Sequence, residues 1–197
     1  MADNKRTCTF DGCERPYSAL GCCIAHYKQL WRGVPLTPII RRAKLGMPLS
    51  ERLDMYTDKS GDCWLWMATK SLDGYGHIWI GDRHVGAHRA AYELAYGAIP
   101  EGLQIDHKCH TTSCVNPAHL RACTQKQNLE NLNGARANSK SGVRGVSWDR
   151  NASKWRCKVT HNRQELHIGM FATIEEAEAA IIAKRNELFT HNDADRV

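Results

Sequence analysis

Two groups of cysteine and histidine at metal-ligand spacing constrain this chain more than any other feature. In "CTFDGCERPYSALGCCIAHYKQLW", Cys8 and Cys13 are followed by Cys23 and His26, two residues apart. A Cys-x-x-His pair opening a helix presents both side chains to one tetrahedral zinc, and the first pair arrives from a turn around Gly12. A segment this short buries too little apolar surface to fold alone, so a metal has a structural task there. Further on, Cys109, Cys114 and His119 recur at intervals of five around "VNPAHL". Three ligands leave a tetrahedral site one short, with Cys63 and Cys123 as candidates for the fourth. The odd total of nine cysteines argues against full disulfide pairing. The start "MADNKRTCTFDGCERP" is polar, and no apolar run approaches the ~18 residues of a membrane span. The expectation is a chain without a secretion signal, kept in a reducing cytosol, where such thiols serve as metal ligands or buried groups.

Net charge, +6 in all, is unevenly spread: +5 over residues 1–50, −2 over 51–130, +6 over 131–170 and −3 over 171–197. Basic flanks around a slightly acidic centre suit a polyanion such as nucleic acid. In the first flank Lys28, Arg32, Arg41, Arg42 and Lys44, broken by Pro35 and Pro38, read as a basic linker behind the small finger.

From residue 61 the pattern turns to short strands: "CWLWMA", then "YGHIWIGDRHVGAH" with a Gly81-Asp82 turn between two β-like runs. "HRAAYELAYG" predicts a helix with Ala90, Ala91, Leu94 and Ala95 on its apolar face and Gly97 beyond it. "GLQIDH" is another strand, ending at Asp106-His107. After the cysteine loop, Thr124 and Gln127 form a capping box for a helix that carries Asn128, Leu129 and Leu132 and stops at Asn133-Gly134.

These residues carry a resemblance. The finger, through "GxCxxH", resembles small phage-type zinc fingers, which favours Cys23 over Cys22 as ligand. The pattern "DH…C-x4-C-x-NP-x-HL…T-x3-N", with "GDCWLW", "YG" and "AHRAAYELAYG-IPEGL", resembles the HNH (His-Me finger) endonucleases over about residues 50–134, especially those with an extra structural zinc. The resemblance implies a ββα-metal fold and, from its place in "DCWLW", Cys63 as the fourth zinc ligand, with Cys123 a buried thiol. Phosphodiester hydrolysis suits the residue types. His107, with an unperturbed pKa near 6.5, takes the proton from water near neutral pH. Asp106 and Asn128 offer hard oxygens to one Mg²⁺ (or Mn²⁺). Arg89 is a candidate for holding the scissile phosphate, with a buried structural "HR" at residues 88–89 the alternative. His77, His84 and His110 read as ordinary strand and loop residues.

Beyond "NGARANSKSG", three β-like runs and a helix follow, the helix opened by a Thr173–Glu176 capping box with Ile174, Ala177, Ile181 and Leu188 on its apolar face. Arg144, Trp148, Arg150, Lys154, Trp155, Arg156 and Lys158 interleave cations and indoles on the strands. Such cations suit phosphates and guanine edges, while the indoles suit sugar and base faces. "SGVRGVSWD…KWRCKV…HIGMFATIEEAEAAI" resembles the plant APETALA/ethylene-response-factor DNA-binding domain, which implies a three-stranded sheet in the major groove backed by one helix. Ser147 departs from the arginine common in the plant versions, so their target sequence does not carry over.

The expected fold class is multi-domain α+β. A zinc finger and basic linker occupy 1–45, an HNH domain 50–134, a flexible linker 135–141, an APETALA-type domain 142–190 and a tail 191–197. The expected activity is site-specific endonucleolytic cleavage of double-stranded DNA, of homing type, with one catalytic Mg²⁺ and two structural zinc ions, in the host cytosol and away from membranes, as monomer or homodimer. The alternatives are a DNA-binding regulator with an inactive centre and a phage nicking nuclease of low specificity.

Overall fold

The computed structural model describes residues 7–36, 43 and 46–196; Arg41, Arg42 and Lys44 of the basic linker lie outside the described residues. The chain forms two compact units, Met1–Tyr56 and Thr57–Val197. In the first, bridges Thr7↔Pro16 and Ala19↔Cys22 fold the cysteine-bearing turns back on themselves ahead of helix α1 (Ile24–Trp31). Cys8, Cys22 and Cys23 are buried with Phe10 and Tyr27 against them. That is too small a core to hold a fold by itself. Helix α2 (Leu49–Met55) closes the unit and buries Leu53.

The second unit begins with two short antiparallel pairs, β1 (Thr57–Asp58) with β2 (Leu65–Trp66), and β3 (His77–Ile80) with β4 (Arg83–Gly86). The latter hairpin turns at Gly81-Asp82 as the sequence predicts. The β2 segment also pairs with the cysteine loop: the Trp66 amide donates to the Ser113 carbonyl at 2.8 Å and the Val115 amide to the Trp64 carbonyl at 2.7 Å. Trp66 is almost completely buried, and a Cβ on Gly76 would lie 2.4 Å from its ring, so only glycine fits beside it. Helix α3 (Ala87–Tyr96) buries Ala87, Ala90 and Ala91 and packs on the strands that follow.

Those strands, β5 (Gln104–His107) and β6 (Leu120–Cys123), pair antiparallel with Asp106 opposite Arg121 and His107 opposite Leu120. Helix α4 (Gln125–Glu130) follows, opened by the Thr124–Gln127 capping box, which completes a ββα unit. The C-terminal part is a three-stranded antiparallel sheet, ordered β7 (Val146–Asp149), β8 (Lys154–His161), β9 (Gln164–Phe171). Helix α5 (Ile174–Leu188) backs it behind the Thr173–Glu176 capping box. Val146, Cys157, Val159, Ala177, Ile181 and Phe189 form the core between them. Of the described residues, no helix is long and apolar enough to cross a membrane.

Two expectations for this module change. First, residues 135–141 do not leave it hanging on a free tether, because the module grips the end of α4. Arg144 donates to the Leu129, Glu130 and Leu132 carbonyls at 2.9, 3.0 and 3.3 Å. The last carbonyls of a helix lack partners of their own, and a guanidinium fork supplies several donors at once. Arg144 is therefore engaged on the end of α4. Second, strand periodicity separates the indoles from the cations. Trp148 lies opposite Trp155 with ring centres 5.1 Å apart, and Trp155 packs on the core that α5 covers. Arg156 lies opposite Ser147, and Lys154 opposite Asp149, on the other sheet face. Lys154, Arg156 and Lys158 are exposed there, with Arg150 in the adjoining turn. Arg144→Ala should lower the free energy of unfolding by roughly 0.5–1.5 kcal/mol, the typical net worth of hydrogen bonding at part-exposed carbonyls, measured by urea titration. An unchanged unfolding midpoint would remove Arg144 from this structural role.

Candidate active site and metal centres

In the first unit one ligand atom from each of Cys8, Cys13, Cys23 and His26 lies within 4.8 Å of all the others. In the second, Cys63, Cys109, Cys114 and His119 meet in the same way. Tetrahedral zinc with ordinary Zn–S and Zn–N bonds requires edges of about 3.8 Å between sulfurs and about 3.6 Å between sulfur and nitrogen. Nδ1 of His119 stands 3.6 Å from both Cys63 Sγ and Cys114 Sγ. Cys23 Sγ lies 3.6 Å from Nδ1 of His26, and Cys13 Sγ 3.9 Å from Cys23 Sγ. The donor sets fit zinc in both places. In the absence of a cation, burial first and then the nearby thiols push Cys114 up to about 12; a bound cation is what makes such a thiolate tenable.

Cys63 reaches the second cluster because β2, two residues after it, pairs with the loop holding Cys114. Cys123 lies outside the cluster, buried at the end of β6 opposite Gln104. Cys22 is buried beside the first cluster without belonging to it. Sequence reasoning missed Asp62, whose carboxylate lies 3.2 Å from Nε2 of His119. A carboxylate on the second ring nitrogen is the usual partner of a zinc-bound histidine, and its place beside Cys63 was the available signal.

His107 ends β5, is buried, and has Nε2 2.9 Å from the Cys114 carbonyl oxygen. A carbonyl only accepts, so Nε2 carries the proton and Nδ1 keeps its lone pair. Burial lowers the His107 pKa from the usual histidine value, partly opposed by the Cys114 carbonyl and by Asp106. The ring sits 5.0 Å from that of His88 and 5.8 Å from that of Tyr75. Burial, with help from the charges on His107 and Arg89, pushes His88 down to about 3, so His88 is a neutral wall of the site. Arg89 follows it in the first turn of α3, half-buried.

Asp106 is buried, and its surroundings were not anticipated. Its Oδ2 accepts from Arg121 Nε at 3.0 Å, Arg121 Nη2 at 2.8 Å and Asn131 Nδ2 at 2.9 Å, whereas Oδ1 has a single 3.2 Å contact from Asn131. The asparagine on Asp106 is thus Asn131, not Asn128. Asn128 Nδ2 donates instead to Gln104 Oε1 at 2.9 Å. Since that bond uses the amide nitrogen, the carbonyl oxygen of Asn128 remains a hard donor. The register placing position 121 opposite 106 was readable once the strands were paired; Asn131, three residues past Asn128, offered no signal of its own. The Asn128 carbonyl oxygen and the lightly used Oδ1 of Asp106 are both of the kind a hard divalent cation takes.

Residues 85–130, from the end of β4 to the end of α4, match the family described as HNH endonuclease. Relatives come from phages. The chain is 33% identical to Protein 3.8 of Escherichia phage T7 over 103 residues, 51% of this chain and 82% of that protein. It is 32% identical to the Uncharacterized gene 5.3 protein of Enterobacteria phage T3 over 73 residues, 34% of this chain and 72% of that protein. Against Protein 7.7 of phage T7 the identity is 37% over 71 residues, 36% of this chain, and the match spans only about half (55%) of that protein's length. No solved structure matches. The chain belongs to one family with Protein 3.8 of phage T7 and the gene 5.3 protein of phage T3, and its residues 85–130 form an HNH endonuclease domain, a nuclease domain with a nucleic acid as the implied substrate.

Metal analysis of the purified protein should find two zinc ions per chain, falling to one in Cys63→Ser and staying at two in Cys123→Ser. Loss of zinc from Cys123→Ser alone would assign the fourth ligand to the wrong cysteine.

Proposed function

We propose that the protein is a phage DNA endonuclease of homing type that hydrolyses phosphodiester bonds with a single divalent metal and a histidine general base, acting in the host cytosol. The observation that carries this reading is the bond from Nε2 of His107 to the Cys114 carbonyl, 2.9 Å long. It holds the imidazole in one tautomer with Nδ1 as proton acceptor, and the loop supplying the carbonyl is fixed by the cluster to which Cys114 gives its sulfur. Nδ1 takes the proton from the attacking water. Mg²⁺ or Mn²⁺ held by Asp106 and Asn128 would supply charge neutralisation at the phosphate and the leaving oxygen. Arg89 binds the scissile phosphate from α3. Both zinc ions are structural.

Duplex DNA is bound along the outer sheet face by Arg150, Lys154, Arg156 and Lys158, which sets site preference. Two of these cations now lean on Asp149 (3.5 Å) and Glu165 (2.8 Å), exposed pairs that phosphates exchange at little cost. Trp148 lies on the opposite face, half-exposed at the sheet edge, where it packs against Trp155. The second reading is a DNA-binding regulator with an inactive centre, favoured by the ion pair that already occupies Asp106.

His107→Ala should reduce plasmid cleavage by a factor on the order of 10² or more, since general-base catalysis typically contributes 10²–10⁴, with DNA affinity nearly unchanged. Equal cleavage rates would remove His107 as the base, and a parent protein that binds DNA without cleaving it would favour the regulator. The base must be unprotonated, and the folded pKa is lowered. The pH–rate profile should therefore stay level through neutrality and fall only as pH drops through a value below the unperturbed ~6.5. An acid limb above that value would contradict the assignment.

A further inference from the structure

Residues 190–195 lie beyond α5 and outside the matched family segment, yet they end at the candidate catalytic carboxylate. Arg121 spans two acids: besides Asp106 it donates to Asp193, with Nη1 3.3 Å from Oδ1 and Nη2 in close contact with Oδ2. Asn131 repeats the bridge, giving its Nδ2 to Asp106 and accepting the Asp193 amide on Oδ1 at 2.9 Å. The tail is itself anchored. Thr190 donates to the buried Glu130 from its amide and hydroxyl at 3.2 and 3.4 Å. Asp195 accepts from Arg185 Nε and Nη2 at 2.5 and 2.9 Å, and Arg185 Nη1 donates to the Arg144 carbonyl at 2.6 Å.

We propose that Asp193 is a positioning residue that sets the metal affinity of Asp106 by holding part of the Arg121 charge. Were Arg121 paired with Asp106 alone, the two charges would cancel and the carboxylate would present little net field to a cation. With Asp193 on the same guanidinium, the trio carries a net charge of −1 while Arg121 and Asn131 still fix the orientation of Asp106. Asp193 is about one-third exposed and Asp106 only 7% exposed at the side chain, so the effect is transmitted through a part-buried guanidinium with limited solvent screening. The inference rests on the reading of Asp106 as a metal ligand. It adds that the C-terminal tail, and through it the sheet module, tunes that ligand.

Electrostatic sharing and simple anchoring make opposite demands on paired variants. Asp193→Asn is nearly isosteric and leaves Arg121 to Asp106, so Mn²⁺ affinity should fall by a factor on the order of 3–10. Arg121→Gln removes the compensating charge and should raise that affinity. Mn²⁺ binding to the full zinc-loaded chain, followed by electron paramagnetic resonance, reads this directly, with Asp106→Asn marking the site. The Mg²⁺ concentration for half-maximal cleavage should move in the same directions, and Asp193→Glu should restore the parent value. Affinities lowered alike in Asp193→Asn and Arg121→Gln, or unchanged in both, would overturn the inference while leaving the metal site intact. A parent protein with no Mn²⁺ signal sensitive to Asp106→Asn would overturn the metal reading, and the inference with it.

Discussion

Cys114 joins the two halves of the chemistry. Its sulfur is one corner of a four-ligand cluster with Cys63, Cys109 and His119, and its carbonyl oxygen receives the proton-bearing nitrogen of His107. The loop that carries it has little regular structure, only a single 3-10 turn at Pro117–His119 capped by the Asn116 side chain. Such a loop pays heavily in conformational entropy unless something pins it. Four ligands on one cation would do so, together with the backbone pairing to β2. A carbonyl in a loop then becomes a fixed acceptor, and the orientation of the His107 imidazole follows from that. Preorganisation of this kind acts before substrate arrives and so costs nothing at the moment of reaction.

The ββα unit is small, and its helix has only six residues. A helix that short is marginal on its own. It is held at the start by its capping box and at the end by Arg144, whose guanidinium takes two of the terminal carbonyls and that of Leu132 just beyond. Asn131, the residue that ends the helix, also touches both Asp106 and the tail. The C-terminal sheet is consequently part of the nuclease scaffold as well as the bearer of a basic face.

The ion pairs are of two different kinds. Arg121 with Asp106 and Asp193, and Arg185 with Asp195, are largely removed from water, where removing one partner costs several kcal/mol. The cations of the outer sheet face sit at the surface in exposed pairs of small worth. The first kind holds the centre together; the second is free to exchange partners.

Features that depend on local spacing and residue chemistry were legible before any fold was known. Ligand intervals of two to five residues bring Cys109, Cys114 and His119 into one cluster, and Cys23 and His26 into another, because so short a chain has few ways to close. Both capping boxes and the Asp106-His107 strand end were legible for the same reason. The α5 face at Ala177 and Ile181 followed from helical period. Tertiary structure alone decided whatever couples residues far apart. Cys63 reaches its cluster through pairing with a loop some fifty residues on. The Asp106 carboxylate meets Arg121, Asn131 and, across that bridge, Asp193, contacts made over sequence separations of 15, 25 and 62–72 residues. Whether an arginine such as Arg144 faces DNA or caps a helix depends on which surfaces pack together. A strand's two-residue period says that Trp155 and Arg156 face opposite ways, but only the position of α5 says which side is inside.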